Sequence, residues 1–135
     1  MKILVIDGHG GQLGAQIIKS IRSSFDGVEI TAVGTNSSAA MSMLKAGADN
    51  AAAGENPVIV ACRTAEIIIG PVGIVIADSL FGEITPAMAT AVGQTGAVRI
   101  LIPMNKCENI VAGVPDLSTA SLIDDVIAKL KSIRK

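Results

Sequence analysis

The chain has 135 residues, half of them apolar, and its net charge at pH 7 is −1. This length suits one domain with a buried core, and the weak net charge is evidence against the basic surface that nucleic-acid binding needs. No apolar stretch reaches the roughly 18 to 20 residues of a membrane-spanning helix, and the first residues carry no cleavable-leader pattern. We therefore expect a single domain over residues 1–135, located in the cytoplasm, with neither nucleic-acid nor membrane partners.

The first eighteen residues predict a strand, a tight turn and a helix. An apolar run over residues 3–6 indicates a buried strand, and it stops at a glycine cluster. A helical pattern follows directly, with Leu13, Ile17 and Ile21 on one face. Such a turn points the N–H groups of a helix start at the carboxyl edge of a parallel sheet, where phosphates bind. We expect a nucleotide or a similar anion to bind at this edge.

The rest of the chain alternates predicted strands with predicted helices. The strands are expected at 28–33, 49–53, 66–69 and 98–102, the pattern admits a sixth at 110–114, and the helices are expected at 38–45, 57–63, 72–82, 86–94 and 121–134. Three cap signals mark helix starts, namely Asn56 before Pro57, Thr85 before Pro86, and Ser121 with Asp124. This alternation predicts an α/β fold, a three-layer Rossmann-like sandwich with a mostly parallel sheet of five or six strands.

The glycine cluster carries a resemblance to a known enzyme class. Gly8, Gly11 and Gly14 follow a Gly-x-x-Gly-x-x-Gly spacing. Residues 1–14 resemble the opening of extended short-chain dehydrogenase/reductases, especially the sugar-nucleotide reductases that begin with a strand, Gly-x-x-Gly-Gln-Leu-Gly and a helix. The resemblance implies that these glycines line a dinucleotide pyrophosphate, and we place Gly10 on the phosphates with them. The alternative is that the glycines only let the helix and the strand pack closely.

Two further segments, after the second and fourth predicted strands, are expected to contact the ligand. Thr35, Asn36 and Ser37 follow the second predicted strand, where an NAD enzyme usually carries the Asp or Glu that holds the ribose hydroxyls. Small hydroxyl and amide donors better tolerate a ribose 2′-phosphate, so NADP is the expected cofactor if a dinucleotide binds. Gly70 follows the fourth strand near the predicted switch point and is expected to face the ligand across the crevice, with a plain turn as its alternative.

Asp7 and His9 flank the glycine cluster and are the candidate catalytic residues. Imidazole titrates near neutrality, so His9 could act as a general acid or base that Asp7 orients, and a solvated loop histidine is the alternative. The superfamily's catalytic Tyr-x-x-x-Lys cannot exist here because the chain has no tyrosine. Metal-ligand spacing is also absent, and the separated Cys62 and Cys107 are expected to be reduced, buried thiols. Lys106, after the fifth strand, could pair with a phosphate or be a solvated loop lysine.

Six motifs spread over nearly the whole chain carry a second resemblance. They are Ile6-Asp-Gly-x-Gly-Gly, Gly34-Thr-Asn-Ser, Met43-Leu-Lys-Ala-Gly-Ala48, Ile67-Ile-Ile-Gly-Pro71, Gly82-Glu-Ile-Thr-Pro86 and Ile100-Leu-Ile-Pro103. By these motifs the chain is similar to an uncharacterised bacterial domain of unknown function. That resemblance implies the same fold and a small cytosolic protein, and it supplies no activity.

Three functional hypotheses follow from these residues. The first is a nucleotide-binding domain that prefers NADP. The second is a non-catalytic regulatory or scaffold homodimer, and the third is a small enzyme that uses Asp7 and His9 on a phosphorylated metabolite. We expect a homodimer through the apolar segment 72–81, with the polar cluster of Asp78, Ser79 and Glu83 bordering the subunit contact or, as the alternative, acting in catalysis.

Overall fold

The structure is a computed structural model that describes residues 1–104 and 109–133. Strands and α-helices alternate along these residues, as the sequence predicts. In chain order the elements are β1 (Lys2–Asp7), α1 (Gln12–Ser24), β2 (Glu29–Gly34), α2 (Ser37–Lys45), β3 (Asn50–Ala53), α3 (Glu55–Cys62), β4 (Ile67–Pro71), a 3-10 helix (Val72–Val75), α4 (Pro86–Gln94), β5 (Val98–Ile102) and α5 (Thr119–Ile133).

The five described strands form one sheet in the order β3-β2-β1-β4-β5, and every pair in it is parallel. The chain moves outward from β1 to β3 and then returns to the other side of β1 to form β4. This reversal places a topological switch point between β1 and β4, where open α/β sheets bind their ligands. The predicted three-layer Rossmann-like fold is confirmed, with five strands among the described residues.

Helices cover both faces of the sheet. Because successive side chains of a strand point to opposite faces, Ile3 and Val5 of β1 pack beneath α1, α2 and α5, whereas Leu4 and Ile6 pack beneath α3 and α4. All four side chains are buried. Parallel strands with helices on both faces lose contact with water on both sides, which accounts for the unbroken apolar run in β1.

Two predicted elements are wrong. Residues 110–114 form a turn instead of a sixth strand, with Gly113 at a φ of +79° and Ile110 92% exposed. The segment 72–82 is helical only in the four residues of its 3-10 helix. Beyond them Asp78, Leu80 and Phe81 have φ values of +66°, +56° and +55°, which a right-handed helix cannot contain. The apolar residues suggested a helix here, but the backbone folds into successive tight turns.

The predicted helix starts have mixed outcomes. The cap of α4 is confirmed, since the Thr85 hydroxyl accepts a backbone N–H at 3.2 Å and a proline occupies the first helical position. For α3, Gly54 is the N-cap and Asn56 lies inside the helix. For α5, the Ser118 hydroxyl oxygen accepts the Ser121 backbone N–H at 3.1 Å, so the helix begins earlier than the predicted capping box.

None of the helices in the described parts of the chain is long and apolar enough to cross a membrane.

We expect Thr85→Ala to lower the free energy of unfolding by about 1 kcal/mol, because it removes the N-cap of α4. The matched control is Thr90→Ala, the same change at an exposed position inside the same helix. Alanine favours helices more than threonine does, so the control should be neutral or slightly stabilising. Urea denaturation of both variants measures the difference, and equal losses would contradict the assigned cap.

Candidate functional site

The loops that follow β1 and β2 meet at the carboxyl edge of the sheet. The backbone N–H of Thr35 donates to the Asp7 carbonyl oxygen at 3.0 Å, and the Asn36 side-chain amide donates to the His9 carbonyl oxygen at 2.9 Å. Neighbouring parallel strands end side by side, which brings these loops within reach of each other. Four predicted site residues are therefore brought together.

A carboxylate from a distant part of the chain joins these two loops. Glu83 Oε1 accepts hydrogen bonds from the His9 backbone N–H at 3.1 Å and from the Thr35 hydroxyl at 2.9 Å. Its Oε2 accepts one from the Asn36 amide at 2.8 Å. We call these four residues the Glu83 clamp. The sequence marked Glu83 only as part of a polar cluster, because the side chains that it contacts lie far away along the chain.

The charge of Glu83 is stabilised by these contacts. Its partial burial favours the neutral form, but the hydrogen bonds from His9, Asn36 and Thr35 and the nearby imidazole outweigh that effect. The pKa of Glu83 consequently lies below its usual value of 4.5. An ionised carboxylate therefore sits among donors from both loops at neutral pH.

The side-chain carboxylate of Asp7 accepts hydrogen bonds from backbone N–H groups. Its Oδ1 accepts the Gly8 N–H at 2.8 Å, and its Oδ2 accepts the Gly14 N–H at 2.8 Å. Gly14 lies in the first turn of α1, so the buried Asp7 side chain satisfies one of the N–H groups that begin this helix. Burial raises the pKa of Asp7, although both hydrogen bonds and the His9 imidazole oppose the shift.

The His9 side chain lies at the surface of this edge. The residue has a φ of +51°, its side chain is exposed, and its ring packs edge-on against Phe81 with the two ring centroids 5.9 Å apart. Among the described contacts, no hydrogen bond joins the His9 ring to the carboxylate of Asp7. The catalytic role of this pair stays a prediction, and the geometry orients Asp7 toward the backbone of α1 and not toward the imidazole.

Three of the four turn glycines are crowded by their own chain. A Cβ added to Gly11 would lie 2.7 Å from the carbonyl oxygen of Ala39, and one added to Gly14 would lie 2.5 Å from the sulfur of Met43. A Cβ on Gly8 would meet the Glu83 clamp at 2.9 Å. Gly10 differs, since nothing lies within 4 Å of the corresponding point. Close packing therefore accounts for three of these glycines, and only Gly10 borders open space.

Two N–H groups at the start of α1 have no acceptor in the described part of the chain. The Gly11 N–H donates to the Gly8 carbonyl oxygen and the Gly14 N–H donates to Asp7. The N–H groups of Gln12 and Leu13, in contrast, have no acceptor among the described residues. These two N–H groups lie at the positive end of the helix dipole, beside the open Gly10. The arrangement has the donors and the partial charge that bind an anion.

The remaining predicted ligand positions lie apart from these contacts. Gly70 is buried inside β4, where an added Cβ would lie 2.5 Å from the carbonyl oxygen of Ile6. Ser37 is exposed at the first position of α2. Cys62 is a buried free thiol, as predicted, and burial raises its pKa. Lys106 and Cys107 lie outside the described residues, and no metal-binding cluster of His, Cys, Asp or Glu occurs in the remainder.

Some side chains of the polar cluster and of the apolar segment 72–81 are buried within the chain, and others are exposed to solvent. The Ser79 hydroxyl donates to the carbonyl oxygen of Gly73, within the same segment, whereas Asp78 is exposed. Ile74 and Leu80 are buried in the core of their own chain, and Phe81 is 98% exposed. Much of this apolar surface is thus already covered, and the homodimer through it stays a prediction.

Gly11 and Gly10 should respond differently to substitution by alanine, because the first is crowded and the second is not. Gly11→Ala should lower the free energy of unfolding by about 2 kcal/mol or more, because it combines a positive φ with a backbone clash. Gly10→Ala should change it by less than about 0.5 kcal/mol, since its surroundings are open. Chemical denaturation of both variants tests the contrast, and similar losses would refute the packing described for Gly11.

The Glu83 clamp should make stability depend on pH in the acid range. A carboxyl whose pKa is lowered by folding stabilises the protein above its unfolded pKa, and this contribution is lost as pH falls through the folded pKa. Glu83→Gln should therefore be less stable than the parent at pH 7, and the difference should shrink as the pH falls below 4.5. Urea titrations at several pH values measure the gap, and a constant gap would contradict an ionised clamp.

No curated protein matches the chain. A solved structure described as a dodecameric FMN-dependent Ubix-like decarboxylase from Escherichia coli O157:H7 is similar to it at 16% identity and a TM-score of 0.40, over 100% of this chain and 96% of that one. This similarity is too low to carry an argument about ligand or assembly. A family match over residues 2–135 agrees with the second resemblance seen in the sequence. The chain belongs to the domain of unknown function family DUF3842.

Proposed function

We propose that the carboxyl edge of the sheet binds a nucleotide or another phosphate-containing small molecule, with NADP as the preferred type. The observation that carries this proposal is the pair of N–H groups at the start of α1, from Gln12 and Leu13, that have no acceptor among the described residues. They lie next to the switch point between β1 and β4, and Gly10 leaves space beside them. A phosphate accepting these N–H groups gains both hydrogen bonds and the helix dipole.

The second support is the chemistry of the loop after β2. Thr35 and Asn36 were expected to donate hydrogen bonds to the ribose end of a dinucleotide, and both already donate to the carboxylate of Glu83. Donors that hold one anionic group are suited to hold another, such as a ribose 2′-phosphate. In this proposal the α1 start takes the pyrophosphate and the β2 loop takes the second anionic group.

The proposal concerns binding and assigns no reaction. Within residues 1–104 and 109–133, the Asp7 carboxylate hydrogen-bonds only with backbone N–H groups, so of the two candidate catalytic residues His9 alone has a side chain available for chemistry on a phosphorylated metabolite. Close packing also accounts for Gly8, Gly11 and Gly14 without a ligand. This second fact favours the regulatory or scaffold hypothesis as the competing candidate function, in which the fold is kept but no nucleotide binds.

A thermal-shift titration with NADP, NAD, FMN, ATP and inorganic phosphate separates the two candidates. A ligand at about 100 times its dissociation constant stabilises the folded state by about 2.7 kcal/mol, which raises Tm by several degrees. Gly10→Asp should abolish the NADP shift, because it adds a negative charge beside the unused N–H groups at a position with room for a side chain.

The matched control for this titration is Gly96→Asp. Gly96, like Gly10, has nothing within 4 Å of an added Cβ, and it is exposed and precedes β5, at the opposite edge of the sheet. This control should keep the full shift. The absence of a shift with every compound would refute nucleotide binding and favour the scaffold candidate, whereas equal shifts in both variants would place the ligand elsewhere.

A further inference from the structure

In the Glu83 clamp, every hydrogen of the three donor groups is already used in a hydrogen bond within the protein. The His9 backbone and the Thr35 hydroxyl each have one hydrogen, and both hydrogens are donated to Glu83. The Asn36 amide has two, of which one goes to Glu83 and the other to the His9 carbonyl oxygen. An incoming anionic group can therefore accept these bonds only after the Glu83 carboxylate has withdrawn. Repulsion between two anions at one set of donors has the same consequence.

The segment that carries Glu83 is held in a costly backbone conformation. Asp78, Leu80 and Phe81 all have a positive φ, a backbone conformation that is unfavourable for residues other than glycine. Hydrogen bonds within the segment keep it compact, including those from the Asp78 N–H to the Ile84 carbonyl oxygen at 2.7 Å and from the Glu83 N–H to the Leu80 carbonyl oxygen at 3.0 Å. Such strain persists only where surrounding contacts maintain it.

Apolar burial, a ring contact and a carboxylate attach this segment to the rest of the edge. Leu80 and Ile84 are buried in the core beneath α3 and α4, where the Leu80 side chain also approaches Gly8. The Phe81 ring packs against the His9 ring. Glu83 bonds the loops after β1 and β2. By comparison, Asp78, Phe81 and Gly82 are exposed. Release of Glu83 would remove the polar contact and allow the exposed part of the segment to leave its strained conformation.

We propose that Glu83 is an internal anion that occupies the second anionic subsite of the ligand, formed by His9, Thr35 and Asn36, until a phosphate group displaces it. The inference rests on the proposed function and deepens it. It assigns a closed state, in which Glu83 accepts the hydrogen bonds of the clamp, and it names the donors that recognise the second phosphate. The carboxylate keeps the donors ordered without ligand and competes with the phosphate for them. Ligands that lack this group gain nothing from displacing Glu83, so the subsite also selects NADP over NAD.

The test is Glu83→Gln, with binding of NADP and NAD measured by isothermal titration calorimetry. Removing the competing charge should strengthen NADP binding about tenfold or more. This is the gain expected if Glu83 in the parent protein is away from the donors of the clamp for roughly a tenth of the time or less. NAD binding should change by less than about threefold, on the same population argument. The matched control is Glu29→Gln, the same loss of charge on an exposed glutamate at the opposite edge of the sheet, which should bind both nucleotides as the parent does.

Each outcome distinguishes the two proposals. If the parent binds NADP and Glu83→Gln binds it equally or more weakly, the internal anion is refuted while nucleotide binding stands. If neither protein binds NADP or NAD, both proposals fail. Binding by Glu83→Gln alone would support the internal anion.

A second measurement uses the parent protein and does not depend on the folding of any variant. Displacement of Glu83 predicts that NADP raises amide hydrogen exchange in residues 76–84 and lowers it in residues 8–14. Protection of residues 76–84 by NADP would overturn the proposal, because it would mean that the segment closes on the ligand. Unchanged exchange in residues 76–84 with NADP bound would overturn it as well.

Discussion

The buried carboxylate of Asp7 is the interaction on which the carboxyl edge depends. The carboxylate joins the last residue of the central strand to the first turn of α1. The backbone carbonyl oxygen of Asp7 also accepts the N–H of Thr35, the first residue of the β2 loop. Burial of this carboxylate is unfavourable unless it is hydrogen-bonded, so the turn must present the Gly8 and Gly14 N–H groups to it. The side chain therefore sets the geometry of the turn.

The close approach of α2 to this turn is the second constraint. Gly11 lies against the backbone of Ala39, and Gly14 lies against Met43, so a larger residue at either position would separate the two helices. A glycine spacing that resembles a dinucleotide fingerprint thus has a packing explanation inside this chain. What packing does not explain is Gly10, which is uncrowded, and the unused N–H groups beside it. These two features are the ones that favour a ligand.

Local patterns predicted much of the fold because they act over a few residues. The apolar run of β1, the helical face of α1 and the cap at Thr85 are local, and each was placed correctly. Other local signals failed where a neighbouring residue competed, as when Gly54 and Ser118 capped α3 and α5 instead of the residues predicted. The helix predicted after β4 was wrong for a different reason. The apolar residues of this segment match a helix, but the path of its backbone is set by contacts with the core and with the two loops.

The sequence by itself determined the Rossmann-like fold, the carboxyl edge as the location of the candidate site, and Asp7, His9, Thr35 and Asn36 as the polar residues found there. These follow from hydrophobic periodicity and from the rule that parallel strands end at one edge. Only the tertiary structure decided how those residues are connected. Glu83 is 48 residues from Thr35 in the chain, and no local pattern specifies a hydrogen bond across that separation. The contact exists because the return of the chain from β4 brings its loop over the ends of β1 and β2.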